Sequence, residues 1–513
     1  MMRQIEQYGM IEFEVHYDAE GNPFQDCTVK GIFKGDNEEK KVRGFYDGKG
    51  TFKVRFMPSF EGIYTCRLEA DFPLEWERDM FEVIPASEGN HGVVRTVGQF
   101  HFAYDDGTMY YPVGTTCYAW CHQTEDLQRE TLKTLEESPF NKLRFCVFPK
   151  HYRYNLKEPA LYPYELRENS PWKPEDYQEE ELAKLPRNML GGIPLKMEQP
   201  ETVWDFGRFC PEYFQNMEDK IKALLALGIE ADLILLHPYD RWGFSRMSVE
   251  DENVYLQYVT ARFSAFRNVW WSLANEYDLF REKELWQWEQ NAQVLVREDP
   301  YCHLRSIHNC MKFYDYTRPW ITHCSIQRTD LYKTAENTLE WRTRYGKPIV
   351  LDEIAYEGNI AFGWGNISGE EMTRRFWEAY TRGGYAMHGE TYTHPRDILW
   401  WSHGGTLHGT SPSRIAFLKE IMEEAPGNGL EPVEGIFDES VAADRQGGYF
   451  LYYYGANRPS ERDYDLPRGQ TYQAEIIDTW EKTIEAAGTV SGRFTLTLPG
   501  KAYIAVRFRR VDS

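Results

Sequence analysis

Two glutamates that follow apolar segments are the strongest candidates for chemistry in this sequence. Glu276 comes directly after the segment VWWSLAN, and Glu353 ends the segment PIVLDE, 77 residues further along the chain. Two carboxyl groups that converge on one cavity can cleave a glycosidic bond, because one protonates the departing oxygen while the other faces the anomeric carbon. The proton donor needs a raised pKa and its partner must be ionised. A single glutamate after a strand is usually a solvated loop charge, but this pair is ringed by Trp, Tyr and His.

Polar side chains near the predicted strand ends are candidates for substrate binding. They are Arg144, His237, Asp240, Trp242, Asn275, His308, His323, Gln327 and Glu390. The chain also has 29 Phe, 34 Tyr and 16 Trp. Because sugars stack their C–H faces on aromatic rings, Trp120 and Trp401 are predicted to line subsites. Alternatives stay open, since the histidines and tryptophans could be core residues and Glu390 could be a structural loop charge.

Metal catalysis is the main alternative chemistry, because barrel hydrolases can hold metal ions with clustered histidines. The histidines considered for this role are His237, His308, His323, His388, His394, His403 and His408. No pair among them has the H-x-H or H-E-x-x-H spacing that chelates one ion. Cys117 and Cys121 lack the second cysteine pair of a zinc site. We therefore expect neither a metal nor a cofactor.

The elements that must position these residues alternate between short apolar runs and helical patterns. The predicted strands are Tyr110–Thr115, Lys142–Val147, Glu230–Leu235, Val269–Leu273, Leu304–Ile307, Ile321–Cys324, Pro348–Leu351 and Gly384–His388. Eight strands, each followed by a helix, predict an α/β fold of the (β/α)8 barrel class (a TIM barrel). A doubly wound open sheet would give the same alternation, but no glycine-rich phosphate loop follows any strand. In a barrel, the fourth and seventh strands lie across the mouth from each other, which brings Glu276 and Glu353 together.

The two ends of the chain have a different pattern from the barrel. Thr51–Met57 alternates apolar and polar residues, and Phe494, Leu496 and Leu498 do so before the turn at Pro499-Gly500. We therefore predict an N-terminal antiparallel β-sandwich (Ig-like) over 1–95, a barrel over 96–425 and a C-terminal β-sandwich over 426–513. An insertion over 150–210, rich in Tyr, Pro and Glu, is predicted to cover the barrel mouth.

Composition excludes several classes of protein. The 58 Lys and Arg against 80 Asp and Glu give a formal net charge of −22, which argues against nucleic acid as a partner. The mean hydropathy is −0.62, and no apolar run reaches the about 18 residues of a membrane span. The nine cysteines are odd in number and scattered, and the start MMRQIEQYGM has no secretory pattern. A cytoplasmic location is the resulting expectation.

The motifs around the two glutamates resemble those of a known group of enzymes. Asn275-Glu276 on the fourth strand and Glu353 on the seventh resemble the signature of the clan A retaining glycoside hydrolases. The barrel is most similar to the apiosidase-like subgroup. The segments GFYDGKGTFKVRFMPSFEG (44–62) and YQAEIIDTWEKTI (472–484) resemble the flanking β-sandwich domains of such proteins.

This resemblance implies a role for four residues. Glu276 would be the acid/base and Glu353 the nucleophile, Arg144 would hold the nucleophile ionised and oriented, and Asn275 would bind the sugar 2-hydroxyl. The sequence departs from better-known clan members at Tyr277, which replaces a proline. That departure leaves the mechanism in place and the substrate open.

The sequence hypothesis is thus a retaining O-glycoside hydrolase that acts from chain ends on short oligosaccharides. The competing hypotheses are a non-catalytic carbohydrate-binding protein on the same barrel, and a scaffold that uses its β-sandwiches for protein contacts. The flanking domains could brace the barrel or bind a second copy of the chain, so a homo-oligomer is left open.

Overall fold

The structure is a computed structural model that describes residues 2–170, 203–280, 282–395, 399–433 and 439–511. Much of the insertion predicted over 150–210 therefore lies outside the described residues. Of its described part, Tyr164–Leu166 and Trp204–Phe209 pair as a two-stranded antiparallel sheet. None of the described helices is long and apolar enough to cross a bilayer.

A nearly closed parallel sheet of eight strands forms the centre of the molecule. Its strands in chain order are β1 (Val113–Thr116), β2 (Lys142–Cys146), β3 (Glu230–Leu236), β4 (Val269–Ala274), β5 (Arg305–Ser306), β6 (Cys324–Gln327), β7 (Ile349–Glu353) and β8 (Tyr385–His388). The spatial order is β5-β4-β3-β2-β1-β8-β7-β6. A bridge between His308 and Ser325 and a hydrogen bond of 2.9 Å from Thr322 N to Arg305 O join β5 to β6. This is the predicted eight-stranded barrel arrangement.

Helices cover the outside of the sheet, which explains why its strands are buried along their length. The helices associated with the barrel are Glu125–Glu136, Pro211–Ala226, Val249–Phe263, Leu285–Glu298, Thr338–Tyr345, Gly369–Thr381, Trp400–His403 and Pro412–Glu423. Every residue of β3 and β4 is buried, as expected for parallel strands that are covered on both faces. Ser368 begins one of the predicted helices, since its hydroxyl accepts a hydrogen bond from Glu371 N.

Two details of the barrel differ from the sequence prediction. No helix follows β5, because residues 307–323 form turns before β6. The sixth strand was predicted over Ile321–Cys324, but it occupies Cys324–Gln327. Both differences arise because β5 pairs through only two residues with β4, so the chain reaches β6 through an irregular segment.

The described residues before the barrel form mainly antiparallel sheets. One sheet contains Arg3–Glu6, Arg78–Ile84, Gly62–Ala70, Val29–Lys34 and Glu39–Arg43, and a second contains Ile11–His16, Thr51–Phe56 and Phe45–Tyr46. Phe13, Phe33, Phe56 and Phe81 from both sheets share one apolar core. A short helix, Pro23–Asp26, and a three-stranded sheet of Val94–Val97, His101–Tyr104 and Met109–Tyr110 complete this region.

After the barrel, the described residues form a six-stranded sheet and a two-stranded sheet. The larger sheet contains Glu431–Pro432, Ser440–Ala443, Tyr449–Tyr453, Ile504–Arg510, Tyr472–Asp478 and Thr483–Val490, and the smaller contains Glu461–Asp465 and Arg493–Thr497. Tyr464 of the smaller sheet packs against Phe508 of the larger one, with ring centroids 4.9 Å apart. A separate pair of short strands, Glu357–Gly358 and Glu390–Thr391, lies beyond β7 and β8.

The barrel interior contains a chain of buried charges. Lys142 on β2 is fully buried and makes ion pairs with Asp232 on β3 and, at 3.0 Å, with Asp352 on β7. One layer higher, Arg144 Nε lies 4.0 Å from Asp232 and its Nη1 lies 3.5 Å from Glu353 Oε1. The strand that carries both Asp352 and Glu353, β7, is therefore connected by ion pairs to β2, and β2 to β3.

Replacing Lys142 by Met is expected to destabilise the protein by about 3–5 kcal/mol, because two carboxylates would be left buried without their cation. Urea denaturation followed by tryptophan fluorescence measures this loss. Lys222→Met is the control, since Lys222 is half-exposed and its ion pairs with Glu218 and Asp219 are 3.9 Å long. That control should cost less than about 1 kcal/mol, and equal losses in the two variants would contradict the prediction.

Candidate active site

A cavity of about 220 Å³ opens at the carboxyl ends of the barrel strands. It is lined by Tyr118, Lys150, Tyr152, Tyr154, Tyr239, Glu276, Cys310, Met311, Gln327, Thr329, Glu353, Tyr356, Phe362, Trp364 and Trp401. This is the face on which barrel enzymes carry their chemistry. Both glutamates singled out in the sequence therefore converge on one cavity.

Glu276 is positioned by an unusual backbone conformation just beyond β4. Asn275 N donates to Leu236 O of β3 at 2.9 Å, and Tyr277 N donates to His308 O at the same distance. Between these two anchors Glu276 has φ +49° and ψ 52°, in the left-handed region that non-glycine residues rarely occupy. Backbone held in such regions clusters at functional sites, where neighbouring contacts maintain it. The Glu276 side chain is turned into the cavity as a result.

Glu353 is the last residue of β7, and positive and hydrogen-bonding groups surround its carboxylate. Tyr118 donates its hydroxyl proton to Glu353, His308 Nε2 lies 3.2 Å from Oε1, and Arg144 Nη1 lies 3.5 Å away. Burial alone would raise the pKa of Glu353. The hydrogen bond from His308 and the charges of His308 and Arg144 outweigh it and lower this pKa to about 2. Glu353 is therefore ionised at neutral pH.

A hydrogen-bonded relay behind Glu353 orients His308. Ser325 donates its hydroxyl proton to Asp352, and His308 Nδ1 lies 3.0 Å from the Ser325 oxygen. Because the Ser325 hydroxyl donates its hydrogen bond to Asp352, its oxygen can only accept a hydrogen bond from His308 Nδ1. The other ring nitrogen, Nε2, faces the carboxylate of Glu353. The contacts of its two ring nitrogens thus hold the imidazole of His308 between Ser325 and Glu353.

Glu276 has the opposite electrostatic environment. Burial raises its pKa, and the negative charge of Glu353 raises it further. Three interactions oppose this shift without reversing it: the charge of Lys150, a hydrogen bond with Tyr239, and the electrostatic effect of His308. A carboxyl with a raised pKa keeps its proton and can act as a general acid. The cavity thus holds one protonated and one ionised carboxyl group, which is the division of roles that glycosidic cleavage requires.

Tyr118 connects the two glutamates through a network of side chains. Its hydroxyl donates to Glu353, accepts from Arg144 Nη1 at 3.3 Å and lies 3.3 Å from Asn275 Oδ1. Asn275 Nδ2 in turn donates to Glu276 Oε2 at 3.1 Å. Arg144, Asn275 and His308 thus contact the two carboxylates, whereas Gln327 and Trp401 line the cavity itself.

Tyr118→Phe is expected to lower kcat/KM about 10- to 100-fold, because a hydrogen bond to a charged group is worth about 1.5–3 kcal/mol. Loss of that bond raises the pKa of Glu353, so the acid limb of the kcat/KM profile should move to higher pH. Tyr110→Phe is the matched control, since Tyr110 donates to Asn141 O at 2.8 Å, outside the cavity. A Tyr118 variant with an unshifted acid limb would contradict this role.

Aromatic rings form the walls of the cavity, and sequence reasoning missed most of them. Rings centred 5.2–5.8 Å from Trp401 surround it, namely those of Tyr118, Tyr152, Tyr154, Tyr356 and Trp364. The tyrosines follow strand ends just as the predicted residues do. They could have been found by giving tyrosine at those positions the weight given to histidine and tryptophan.

The structure places three predicted binding residues, all in the loop after β3, away from the cavity lining. His237 is buried with Nε2 3.2 Å from Phe148 O. Asp240 accepts hydrogen bonds from the backbone N–H groups of Trp242, Gly243 and Ser245. Trp242 packs in the core and donates from Nε1 to Glu158 at 2.9 Å. These contacts shape the loop, and none of the three side chains lines the cavity.

Three further predicted residues also lie outside the lining. His323 precedes β6 and packs between the rings of Phe102 and Trp270. Glu390 accepts hydrogen bonds from the backbone N–H groups of His408 and Gly409, so the alternative of a structural loop charge applies. Trp120 is fully buried against Phe145. Within the described ranges, no three His, Cys, Asp or Glu side chains are grouped to hold a metal ion.

Comparison with solved structures finds similar proteins at both high and low sequence identity. A crystal structure described as that of "a putative glycoside hydrolase from Bacteroides vulgatus ATCC 8482" is 36% identical in sequence with a TM-score of 0.88, and the alignment covers 99% of this chain and 100% of that chain. A glycoside hydrolase family 5 structure from the same organism is 13% identical with a TM-score of 0.59, covering 82% and 94%. A structure described as "Glycoside hydrolase" is 14% identical with a TM-score of 0.58, covering 83% and 98%.

The terminal regions match models of two domains of unknown function. DUF5060 matches residues 4–71 and DUF5605 matches residues 437–509. No curated protein matches the chain. The two distant structures show a shared fold, whereas the close relative matches over essentially the whole of both chains. The chain therefore belongs to the same family of glycoside hydrolases as the protein from Bacteroides vulgatus.

Proposed function

We propose that this protein is a retaining O-glycoside hydrolase that works by double displacement. Glu353 attacks the anomeric carbon while Glu276 protonates the departing oxygen, giving a glycosyl-enzyme ester. Glu276 then removes a proton from water, which attacks the anomeric carbon and releases Glu353. The observation that carries this proposal is the presence of two carboxyl groups in one cavity with opposite pKa shifts.

Retention depends on how far apart the two carboxyl groups lie. Retaining enzymes hold them about 5–5.5 Å apart, whereas inverting enzymes leave room for a water molecule between them. Tyr118 and Asn275 link the two carboxylates through three hydrogen-bonding contacts, so both face the same part of the cavity, and the shorter separation is part of the proposal. Aromatic rings surround a cavity of about 220 Å³, and this small volume favours action at a chain end.

The stereochemistry of the first-formed product tests the mechanism. A screen of aryl pyranosides and furanosides of both anomers identifies a cleaved substrate, and proton NMR within the first minutes reports the anomer released. The expected product has the configuration of the substrate. Initial release of the opposite anomer would establish inversion, and sugar binding without cleavage of any glycoside would favour the non-catalytic binding protein.

We also propose an organisation for the remainder of the chain. The shared core of the N-terminal sheets and the contacts between the C-terminal sheets support β-sandwich domains over 1–95 and 426–513 that flank the barrel over 96–425. An apiosidase-like grouping within clan A is the assignment that the motifs favour.

All nine cysteines are free thiols, which supports the proposed cytoplasmic location. Whether the sandwiches also bind a second copy of the chain is answered by sedimentation of the purified protein.

A further inference from the structure

Lys150 is a buried cation in the cavity wall that the proposed mechanism does not use. It follows β2 by four residues, and only 2% of its surface is exposed. Its ammonium group lies over the ring of Tyr118 at 3.5 Å, Tyr239 at 4.2 Å, Tyr152 at 4.7 Å and Trp401 at 5.8 Å. All five residues line the same cavity as the two glutamates.

Hydrogen bonds within the loop after β2 anchor the backbone of Lys150. Asn155 Nδ2 donates to Lys150 O at 2.6 Å, and Gln123 Nε2 donates to Asn155 Oδ1 at 3.2 Å. Tyr152 and Asn155 pair through both backbone amides. With this backbone anchored, the four surrounding rings confine the ammonium group to one part of the cavity wall.

The rings stabilise the charge of Lys150 but leave its N–H donors unused. Each cation–π contact contributes about 0.5–2 kcal/mol, yet an ammonium also has three hydrogen-bond donors. Within the described part of the chain, the Lys150 ammonium makes no hydrogen bond and no direct ion pair, although the charges of Glu276 and Glu353 act on it from elsewhere in the cavity. Glu353 is already engaged by Tyr118, His308 and Arg144. A buried cation without a paired anion is costly unless a ligand supplies one.

We propose that Lys150 binds an anionic substituent on the substrate sugar, so that the protein acts on acidic glycosides such as those of uronic acids. This inference rests on the proposed function, and it names the substrate class of the same cavity. A carboxylate or sulfate ester would accept charge-assisted hydrogen bonds from the free ammonium donors, which are about twice as strong as neutral ones. A neutral sugar would offer these donors only the weaker hydrogen bonds of hydroxyl groups.

The overall charge of the protein limits the kind of acidic substrate. A formal net charge of −22 repels polyanions, but charges beyond about 8 Å are largely screened at physiological ionic strength. Once a single acidic group has entered the cavity, it therefore responds mainly to the charges of the cavity itself, where Lys150 is the cation with unused donors and Arg144 is engaged by Glu353. The expected ligand is a small sugar or short oligosaccharide with one acidic unit in the cavity.

Calorimetric binding of matched sugars to the full-length protein tests the inference. The probes are glucuronate and galacturonate, the 6-sulfates of glucose and galactose, and glucose and galactose themselves. At least one acidic sugar should bind 10-fold or more tightly than its neutral counterpart. Lys150→Met should reduce that ratio to below about 3-fold, and Lys150→Arg should retain part of it. Lys347→Met is the control, since Lys347 Nζ donates to Arg318 O outside the cavity, and it should leave the ratio unchanged.

Three results would overturn the inference: neutral sugars that bind as tightly as acidic ones, an acidic preference that survives Lys150→Met, or no binding of any acidic sugar. The ratio is the informative readout, because a merely structural effect of Lys150 would weaken both members of a pair. Uronates and sulfates in separate arms identify the anionic group. If the protein cleaves neutral glycosides through Glu353 and shows no preference for acidic sugars, only the inference about Lys150 is refuted. If it binds acidic sugars through Lys150 but cleaves no glycoside, only the proposed function is refuted.

Discussion

Glu353→Gln is expected to reduce kcat by on the order of 10⁴-fold or more while the protein remains folded. The amide has nearly the same shape as the carboxylate but is a very poor nucleophile, so the glycosyl-enzyme ester cannot form at a useful rate. Steady-state kinetics with an activated aryl glycoside measure the loss, and circular dichroism confirms the fold. Glu340→Gln, at an exposed helical position, is the control and should retain full activity.

A second variant separates loss of the nucleophile from general damage to the site. Glu353→Ala leaves space beside the anomeric carbon, and added azide can attack there directly. Restored turnover with a glycosyl azide of inverted configuration is the expected result. A Glu353→Gln enzyme that retains more than about a tenth of its activity would rule out a covalent role for this residue.

Glu276→Gln is expected to lower kcat by about 10²- to 10⁴-fold for substrates with poor leaving groups, the range typical of general acid catalysis. Activated aryl glycosides should be cleaved with a smaller loss in the first step, because their leaving groups need no proton. The protein needs Glu276 protonated, so wild-type activity should fall as the pH rises through its raised pKa. That basic limb of the kcat/KM profile should vanish in the variant.

The leaving-group series supplies the internal control for Glu276. A structural defect would reduce cleavage of all glycosides by a similar factor, whereas loss of the acid makes the reduction larger as the leaving group becomes more basic. A uniform reduction across the series, or a basic limb that persists in Glu276→Gln, would show that another group protonates the leaving oxygen.

The sequence predicted the parts of the fold that depend on repeated local patterns. Alternation of apolar runs with helical patterns located seven barrel strands to within about three residues, because buried parallel strands need continuous apolar segments. β6 was harder, since it follows a turn-rich segment and itself contains polar Ser325 and Gln327. Pairing through neighbouring strands, rather than local composition, determines where that strand begins.

Placement at a strand end predicted which residues could reach the cavity but not which ones do. Glu276 and Glu353 line it, whereas Asp240 and Glu390 use their carboxylates to accept loop N–H groups. That difference depends on whether nearby backbone donors are already paired, which a single sequence does not reveal. Tyr118 was missed because its importance comes from partners on β2, β4 and β7 that only the closed barrel brings together.

The buried charges of the barrel interior influence the pKa of Glu353 through intervening side chains. Asp352 contacts both Lys142 and, through Ser325, the imidazole that faces Glu353. Substitutions at Lys142 or Ser325 are therefore a way to change the pH range over which this enzyme is active. Neither residue lines the cavity. These charges also limit consensus or computational redesign. Apolar residues of equal volume in the barrel interior would keep the fold but remove the electrostatic support of Glu353, and activity would be lost.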